Sequence, residues 1–248
     1  MMENRAVLRI GGADREEFLH GLVTRDIVAP GDGLVYSALL TPQGKYLADF
    51  FLLNRGADIL LDVKAEIAPS LAQRLMMYRL RADVTIEDSG LSVGQGLGDI
   101  PDGAFADPRH PALGWRGYGL TGEVPGWDAL RVAHCVPETG IELIPNETFI
   151  LEVGFDRLGG VNHRKGCYVG QEVTARMRHK TVLRKGLVTV AVDGSAPVGT
   201  EIVAGEKVAG VLYTQADGKG IAYLRFDRAE GEMTAGAAIV RWSGVAAG

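Results

Sequence analysis

The ten residues HRKGCYVGQE, from His163 to Glu172, bring a thiol, two cations, an amide and a carboxylate into one short stretch. Gly166 and Gly170 permit a positive φ or a close backbone approach, so the chain can turn sharply about Cys167 and leave its sulfur at the rim of a cleft. Arg164 and Lys165 favour a thiolate when their charges lie close to it. QEVTARMR reads as a helix beginning near Gln171, whose N-terminal dipole acts in the same sense. A thiolate in that setting suits nucleophilic attack, redox exchange or transient metal ligation. The same residues also suit a packed cysteine in a basic turn, with Gln171 and Glu172 satisfying backbone groups at the helix start. Residue types alone leave both readings open.

The remaining candidate chemistry is sparse. Cys135 and Cys167 are the only cysteines, too few for a disulfide framework and typical of a reducing compartment. Cys135 has apolar neighbours and nothing nearby to lower its pKa, so it reads as structural. His20, His110, His134, His163 and His179 show no HxxxH spacing and the cysteines no CxxC, so no metal site is expected. The net charge of -5 argues against a general nucleic-acid binder, yet the stretch Arg164–Lys185 holds seven basic residues and one acid, a local charge of +6. Such a focus attracts a polyanionic small molecule, although a solvated basic face or internal ion pairs would use the same residues.

The elements that must position these groups follow a mixed α and β pattern without repeats. RAVLRI reads as a strand. ADREEFLHGLVT follows as a short amphipathic helix with Asp14 at the N-cap, Glu17 at the capping-box position, and Phe18, Leu19, Leu22 and Val23 on one face. LVYSALL and YLADFFLL flank the turn TPQGK, and ILLDV comes after NRGAD, the pattern of a three-stranded meander. AEIAPSLAQRLMMYRLR spaces Leu71, Leu75, Met76 and Leu80 as a helix and assigns them, methionines included, to the core. FADPRHPALGWRGYG reads as an ordered loop between subdomains, and WDALRVAHCV as a further helix. Past Lys185 come five short apolar strands with turns, GLVTVAV, GTEIVAG, EKVAGVLYT, GKGIAYLRF and AAIVRW, the texture of a small antiparallel barrel or sandwich.

The 248 residues can bury a core of normal size, and nearly half of them are apolar. The start MMENRAVLRIGG carries Glu3 and no apolar stretch of signal-peptide length, and no later segment approaches the roughly 20 apolar residues of a membrane span. A cytoplasmic protein without membrane contact is the expectation.

The run Lys165-Gly166-Cys167-Tyr168-Val169-Gly170-Gln171-Glu172, with Arg176 four residues on, resembles the KGCYxGQE signature of the YgfZ family of folate-binding proteins, relatives of the glycine cleavage aminomethyltransferase (T-protein). GLVTRD, LLTPQGKYLADFFLL, MMYRLRADVTIED and ETFILEVGFDRLGGV are similar to the family's pattern in the same order, so the resemblance covers nearly the whole chain. It implies an α+β, T-protein-like ring of three subdomains, two mixed α/β with antiparallel sheets and a C-terminal antiparallel β-barrel. Residues 1–182 would form the folate-binding region, its first subdomain discontinuous, and 183–248 the barrel. The implied cofactor is tetrahydrofolate, with a polyglutamyl tail drawn to the basic stretch. The implied role is assembly or repair of iron-sulfur clusters in client enzymes, among them radical enzymes that modify tRNA, without direct nucleic-acid binding.

On this resemblance Cys167 is the reactive or ligand-donating thiol and Lys165 its electrostatic partner. Glu172 and Arg176 form an i, i+4 pair that orders the segment. Gln171 bonds at the turn, Gly170 shapes it, and Tyr168 stacks on a folate ring or anchors the core. Asp49 is the best candidate for contact with the folate nitrogens. The chain departs from the transferase pattern in two places: Ala48 stands before Asp49 where T-proteins carry an Asp pair, and Val132 and Ala133 follow Arg131 where a Glu is expected. Two alternatives therefore stay open, a folate-dependent aminomethyltransferase-like enzyme and a non-catalytic folate-sensing docking module.

Overall fold

The computed structural model of the chain describes residues 4–180 and 183–244. Its contacts divide the chain into two compact units, residues 1–125 with 158–171 and residues 126–157 with 172–248. The domain boundary expected after residue 182 adjoins Thr181 and Val182, which lie outside the described residues. Among the described residues no helix is long and apolar enough to cross a membrane.

The first unit is built on a five-stranded antiparallel sheet of β1 (Arg5–Gly11), β2 (Leu34–Leu40), β3 (Tyr46–Asn54), β4 (Ile59–Lys64) and β5 (Thr85–Asp88), in the order β2-β3-β4-β1-β5. The expected meander is its β2-β3-β4 part. Successive side chains of a strand point to opposite faces, and both faces of this sheet are covered. On one, Leu8, Ile10, Ala48, Phe50, Leu52, Leu61 and Val63 pack with Leu19 of α1 (Arg15–His20) and with Leu71 and Leu75 of α2 (Ala68–Arg79). On the other, Val7, Leu53 and Leu60 pack with Val93 of a second, three-stranded sheet. That sheet runs β6-β8-β7, from β6 (Val93–Gly96), β7 (Ala104–Ala106) and β8 (Trp115–Tyr118).

The stretch FADPRHPALGWRGYG is therefore not a loop between subdomains but two strands of this sheet joined by a 3-10 turn over Pro111–Leu113. Its tight closure comes from the side chain of Arg109, which donates to both carboxylate oxygens of Asp107 at 3.0 and 2.7 Å, and from Gly114 at φ 71°. Two helix expectations are also corrected. Asp14 stands at the N-cap of α1 without a side-chain capping bond, because its carboxylate accepts the amide of Asp83 at 2.8 Å instead. In α2 Leu71 and Leu75 are core, but Met76, Met77 and Leu80 are 44%, 71% and 86% exposed. The helix stops at Arg79, and Leu80, at φ 46°, follows outside it; even on a continued helix it would stand opposite Leu71, away from the buried face.

In the second unit α3 (Trp127–Ala133) and the turns of residues 137–157 accompany α4 (Gln171–Lys180) and a closed antiparallel barrel. The barrel order is β10-β11-β12-β9-β14-β13, from β9 (Lys185–Asp193), β10 (Thr200–Ala204), β11 (Lys207–Ala216), β12 (Lys219–Arg225), β13 (Glu232–Ala235) and β14 (Ala238–Arg241). Six strands stand where five were expected. The short β13 closes the ring by pairing β14 and meeting β10 at Val203 and Thr234. Val188, Val190, Ile202, Leu212, Ala222, Leu224 and Val240 fill the interior. Arg131 of α3, fully buried, pairs with Asp128 at 3.0 Å, Glu138 at 3.2 Å and Glu142 at 3.1 Å, and donates to Thr214 of β11 at 2.9 Å.

Candidate functional site

The turn that carries Cys167 is held from several sides. Lys165 is buried, and its ammonium donates to the carbonyls of His20 and Val23, the latter at 2.8 Å, so it closes the carbonyl end of α1. Burial pushes the Lys165 ammonium down to about 8, while Asp26 pulls in the opposite direction. Asp26 is itself bound by the side-chain amide of Asn162. The Lys165 ammonium also lies 5.2 Å from the centre of the buried Tyr168 ring, and the Gln171 amide donates back to the Lys165 carbonyl at 3.1 Å.

Gly170 fixes the far side. It adopts φ +84°, and a Cβ there would meet the Thr41 carbonyl at 2.6 Å and the Leu40 side chain at 2.9 Å, both at the β2–β3 turn. Only a glycine fits so close an approach in the left-handed region. Gly166, for which the same freedom was expected, does not use a positive φ. Between these anchors Cys167 is exposed. A surface thiol on a fixed turn can meet a partner's reacting atom without first being unburied.

Of the seven cations in the basic stretch, three are already engaged: Lys165 with carbonyls, Arg176 with Glu172 at 3.0 Å on the exposed face of α4, and Lys185 with Glu152 at 3.6 Å. The Lys180 side chain lies outside the described residues. The i, i+4 pair of Glu172 and Arg176 thus forms, but in water, where such pairs contribute about 0.3–0.5 kcal/mol.

Asp49 stands in a different set of contacts. Along β3 it alternates with Ala48 and Phe50 of the first core, so it shares the opposite face with Phe51 and Leu53. There its carboxylate accepts the hydroxyls of Tyr36 at 3.0 Å and Tyr46 at 2.7 Å. Burial and the Asp49 charge push the Tyr36 hydroxyl well above its ordinary value, so it remains a proton donor.

The same face holds residues that sequence reasoning missed. Asp62 of β4, two positions from Leu60, accepts from Arg5 at 2.7 Å and from Arg116 at 2.8 Å. Arg5, Arg109 and Arg116 all lie over the Phe51 ring, at 5.7, 4.8 and 4.1 Å. A period-two reading could have found the acids, because Asp49 and Asp62 interrupt otherwise apolar strands on one face. Nothing local marks Arg109 or Arg116. Among the described residues no group of three His, Cys, Asp or Glu is arranged to hold a metal ion.

Comparison with known proteins gives the setting of these features. A family model described as the CAF17 C-terminal beta-barrel domain matches residues 184–245. The human iron-sulfur cluster assembly factor IBA57, mitochondrial, is 30% identical over 282 aligned residues, covering 94% of this chain and 78% of the human protein. A homolog from Mycosarcoma maydis is 30% identical over 223 residues, but the chain spans only 55% of that protein's length. In structure the chain is similar to the glycine cleavage system aminomethyltransferase T from Bartonella henselae, with a TM-score of 0.74, 15% identity, and coverage of 95% of this chain and 81% of that one. The chain therefore has a T-protein-like fold with a closed six-stranded C-terminal barrel. The cytoplasmic expectation does not survive, because these IBA57 relatives are mitochondrial proteins. Identity of 30% across most of both the chain and the human protein, with the CAF17 barrel at its C-terminal end, is sufficient for assignment: the chain belongs to the IBA57 family of iron-sulfur cluster assembly factors.

Proposed function

We propose that this chain is a tetrahydrofolate-binding accessory factor, of the YgfZ type, for the assembly or repair of iron-sulfur clusters in client enzymes, and that Cys167 is its reactive thiol. The observation that carries the reading is the exposed Cys167 on a turn whose neighbours Lys165, Tyr168 and Gly170 are fixed in place. The clients include radical enzymes that modify tRNA, and the chemistry on RNA is theirs, in keeping with this chain's net charge of -5.

The residues around Asp49 fit a reduced folate. Asp49 offers a buried carboxylate acceptor to ring N–H groups, and Tyr36 and Tyr46 orient it. Arg109 lies 5.5 Å from the Tyr36 ring centre and stiffens that wall. Tetrahydrofolate, when bound, supplies amine nitrogens able to carry a one-carbon unit. The local charge of +6 in Arg164–Lys185 favours the approach of a polyglutamyl tail.

Calorimetry with tetrahydrofolate and its polyglutamate form, at two salt concentrations, separates the parts. Asp49→Asn is expected to weaken binding at least about tenfold, as loss of one charged hydrogen-bonding acceptor does, and Cys167→Ala to leave binding intact while abolishing complementation of a strain lacking its family member. Complementation by Cys167→Ala would remove the thiol from the mechanism. Complementation by Cys167→Ser would favour the docking-module reading, and a wild type that binds no folate would remove the cofactor.

One observation favours a second reading, aminomethyl transfer: Asp49 stands on a transferase-like fold, bound by two tyrosines. Formation of methylene-tetrahydrofolate from methylated amines by folate-loaded protein is its test. Val132 and Ala133, where the transferase pattern has an acid, predict a negative result.

A further inference from the structure

A cavity of about 210 Å3 opens within the second unit, apart from Cys167 and the residues around Asp49, and shares only Lys185 with the basic stretch. Its aromatic walls come from the outside of the barrel. Leu212, Ala222 and Leu224 point into the barrel core, so Tyr213 of β11 and Tyr223 of β12 face outward. Val211 pairs with Tyr223, which makes Tyr213 and Tyr223 diagonal neighbours on adjacent strands. Glu142, Glu147 and Thr148 from the preceding turns and Lys185 at the start of β9 complete the rim, and Ile144 and Val153 supply an apolar wall.

The charges about this cavity are predominantly negative. Of the charged residues that line it, Glu142 and Glu147 are acids and Lys185 is the cation, and Glu152, paired with Lys185, adds a third carboxylate. Glu142 is buried and held by Arg131 and by the Thr214 hydroxyl at 2.6 Å. Glu152 accepts the Tyr223 hydroxyl at 2.5 Å and pairs with Lys185. One ring already accepts a cation: the Lys185 ammonium lies 5.4 Å from the centre of Tyr223. Burial and the carboxylates of Glu142 and Glu147 push the Tyr213 hydroxyl up, so this wall is a neutral phenol beside two acids.

We propose that this cavity binds an organic cation, a primary ammonium or guanidinium on a short alkyl stem, with its charge between the Tyr213 ring and Glu147 and its stem against Ile144 and Val153. Such a group combines cation–π attraction with a carboxylate partner, and a cavity of this size admits only a few heavy atoms. The cation belongs either to a free small amine or to a lysine or arginine side chain of a protein partner. The inference is independent of folate binding and of Cys167.

The test is calorimetric titration of the full chain with n-butylammonium, methylguanidinium, a capped Gly-Lys-Gly peptide, and neutral n-butanol and anionic butyrate as controls. Saturable binding of the cations, and not of butanol or butyrate, is expected. Glu147→Gln, an exposed position, and Tyr213→Leu should each weaken it at least about threefold, while Tyr213→Phe, which keeps the ring, stays within about twofold. Tighter binding of the peptide than of butylammonium assigns the cation to a partner's side chain, and equal binding assigns it to a free amine. No saturable cation binding, equal binding of butanol, or cation binding insensitive to both Glu147→Gln and Tyr213→Leu would overturn the proposal.

Discussion

The two cysteines differ in environment, and that difference is measurable. Cys135 is buried, and burial pushes its thiol from an ordinary 9.0 up to about 11, whereas Cys167 is exposed. Iodoacetamide at pH 8 should therefore label one thiol per native chain, at Cys167, and two after unfolding; mass spectrometry reads the sites. Cys135 also makes a pH-dependent contribution to stability. Its folded pKa lies above its unfolded value, so between pH 9 and 11 the unfolded state loses the proton first, and stability falls as pH rises through that window. Wild type minus Cys135→Ala should show this decline in denaturant titrations and be flat below pH 9. At Lys165, replacement by Met keeps the stem but leaves the His20 and Val23 carbonyls without their donor. Stability should fall by about 1–3 kcal/mol, read from the urea midpoint.

Among the elements, the β2–β3 hairpin and the Cys167 turn depend on one glycine. Gly170→Ala introduces a Cβ within 2.6 Å of the Thr41 carbonyl at φ +84°, and either the turn or the hairpin must shift. The expected cost is at least about 1–3 kcal/mol for the backbone strain alone, with altered alkylation kinetics at Cys167 because the turn no longer sits on its support. In α2 the exposed and buried positions separate cleanly. Leu75→Ala should cost about 2–5 kcal/mol, and Met77→Gln should remain within about 0.5 kcal/mol. The hydrophobic spacing that assigned both methionines to the core was sound as a helix signal, but Met76 and Met77 fall on the side away from the sheet. The polar positions of β3 and β4 were open to the same kind of reading with period two, which would have grouped Asp49 with Asp62.

At the scale of the whole molecule, buried ion networks join segments distant in sequence within each unit. Asp62 accepts from Arg5 and Arg116, 57 and 54 residues away, and ties the five-stranded sheet to the three-stranded one. Asp62→Asn should destabilise the first unit by about 3–5 kcal/mol, because two buried guanidiniums lose their counter-charge. The second unit has its counterpart in Arg131 and Glu142. The sequence by itself determined the β2-β3-β4 meander, the helices, the barrel region and the signature about Cys167, but not β7, β8 or β13, because periodicity, turn residues and a short motif are local properties of the chain and those three strands are only three or four residues long. Tertiary structure alone decided that Lys165 closes α1, that Asp49 lies under two tyrosines, that Arg109 and Arg116 stack over Phe51, and that Tyr213 and Tyr223 wall a cavity. The physical reason is common to all four. Each depends on strand register or on a loop that returns from far along the chain, and no spacing in the sequence encodes which partner will be met there.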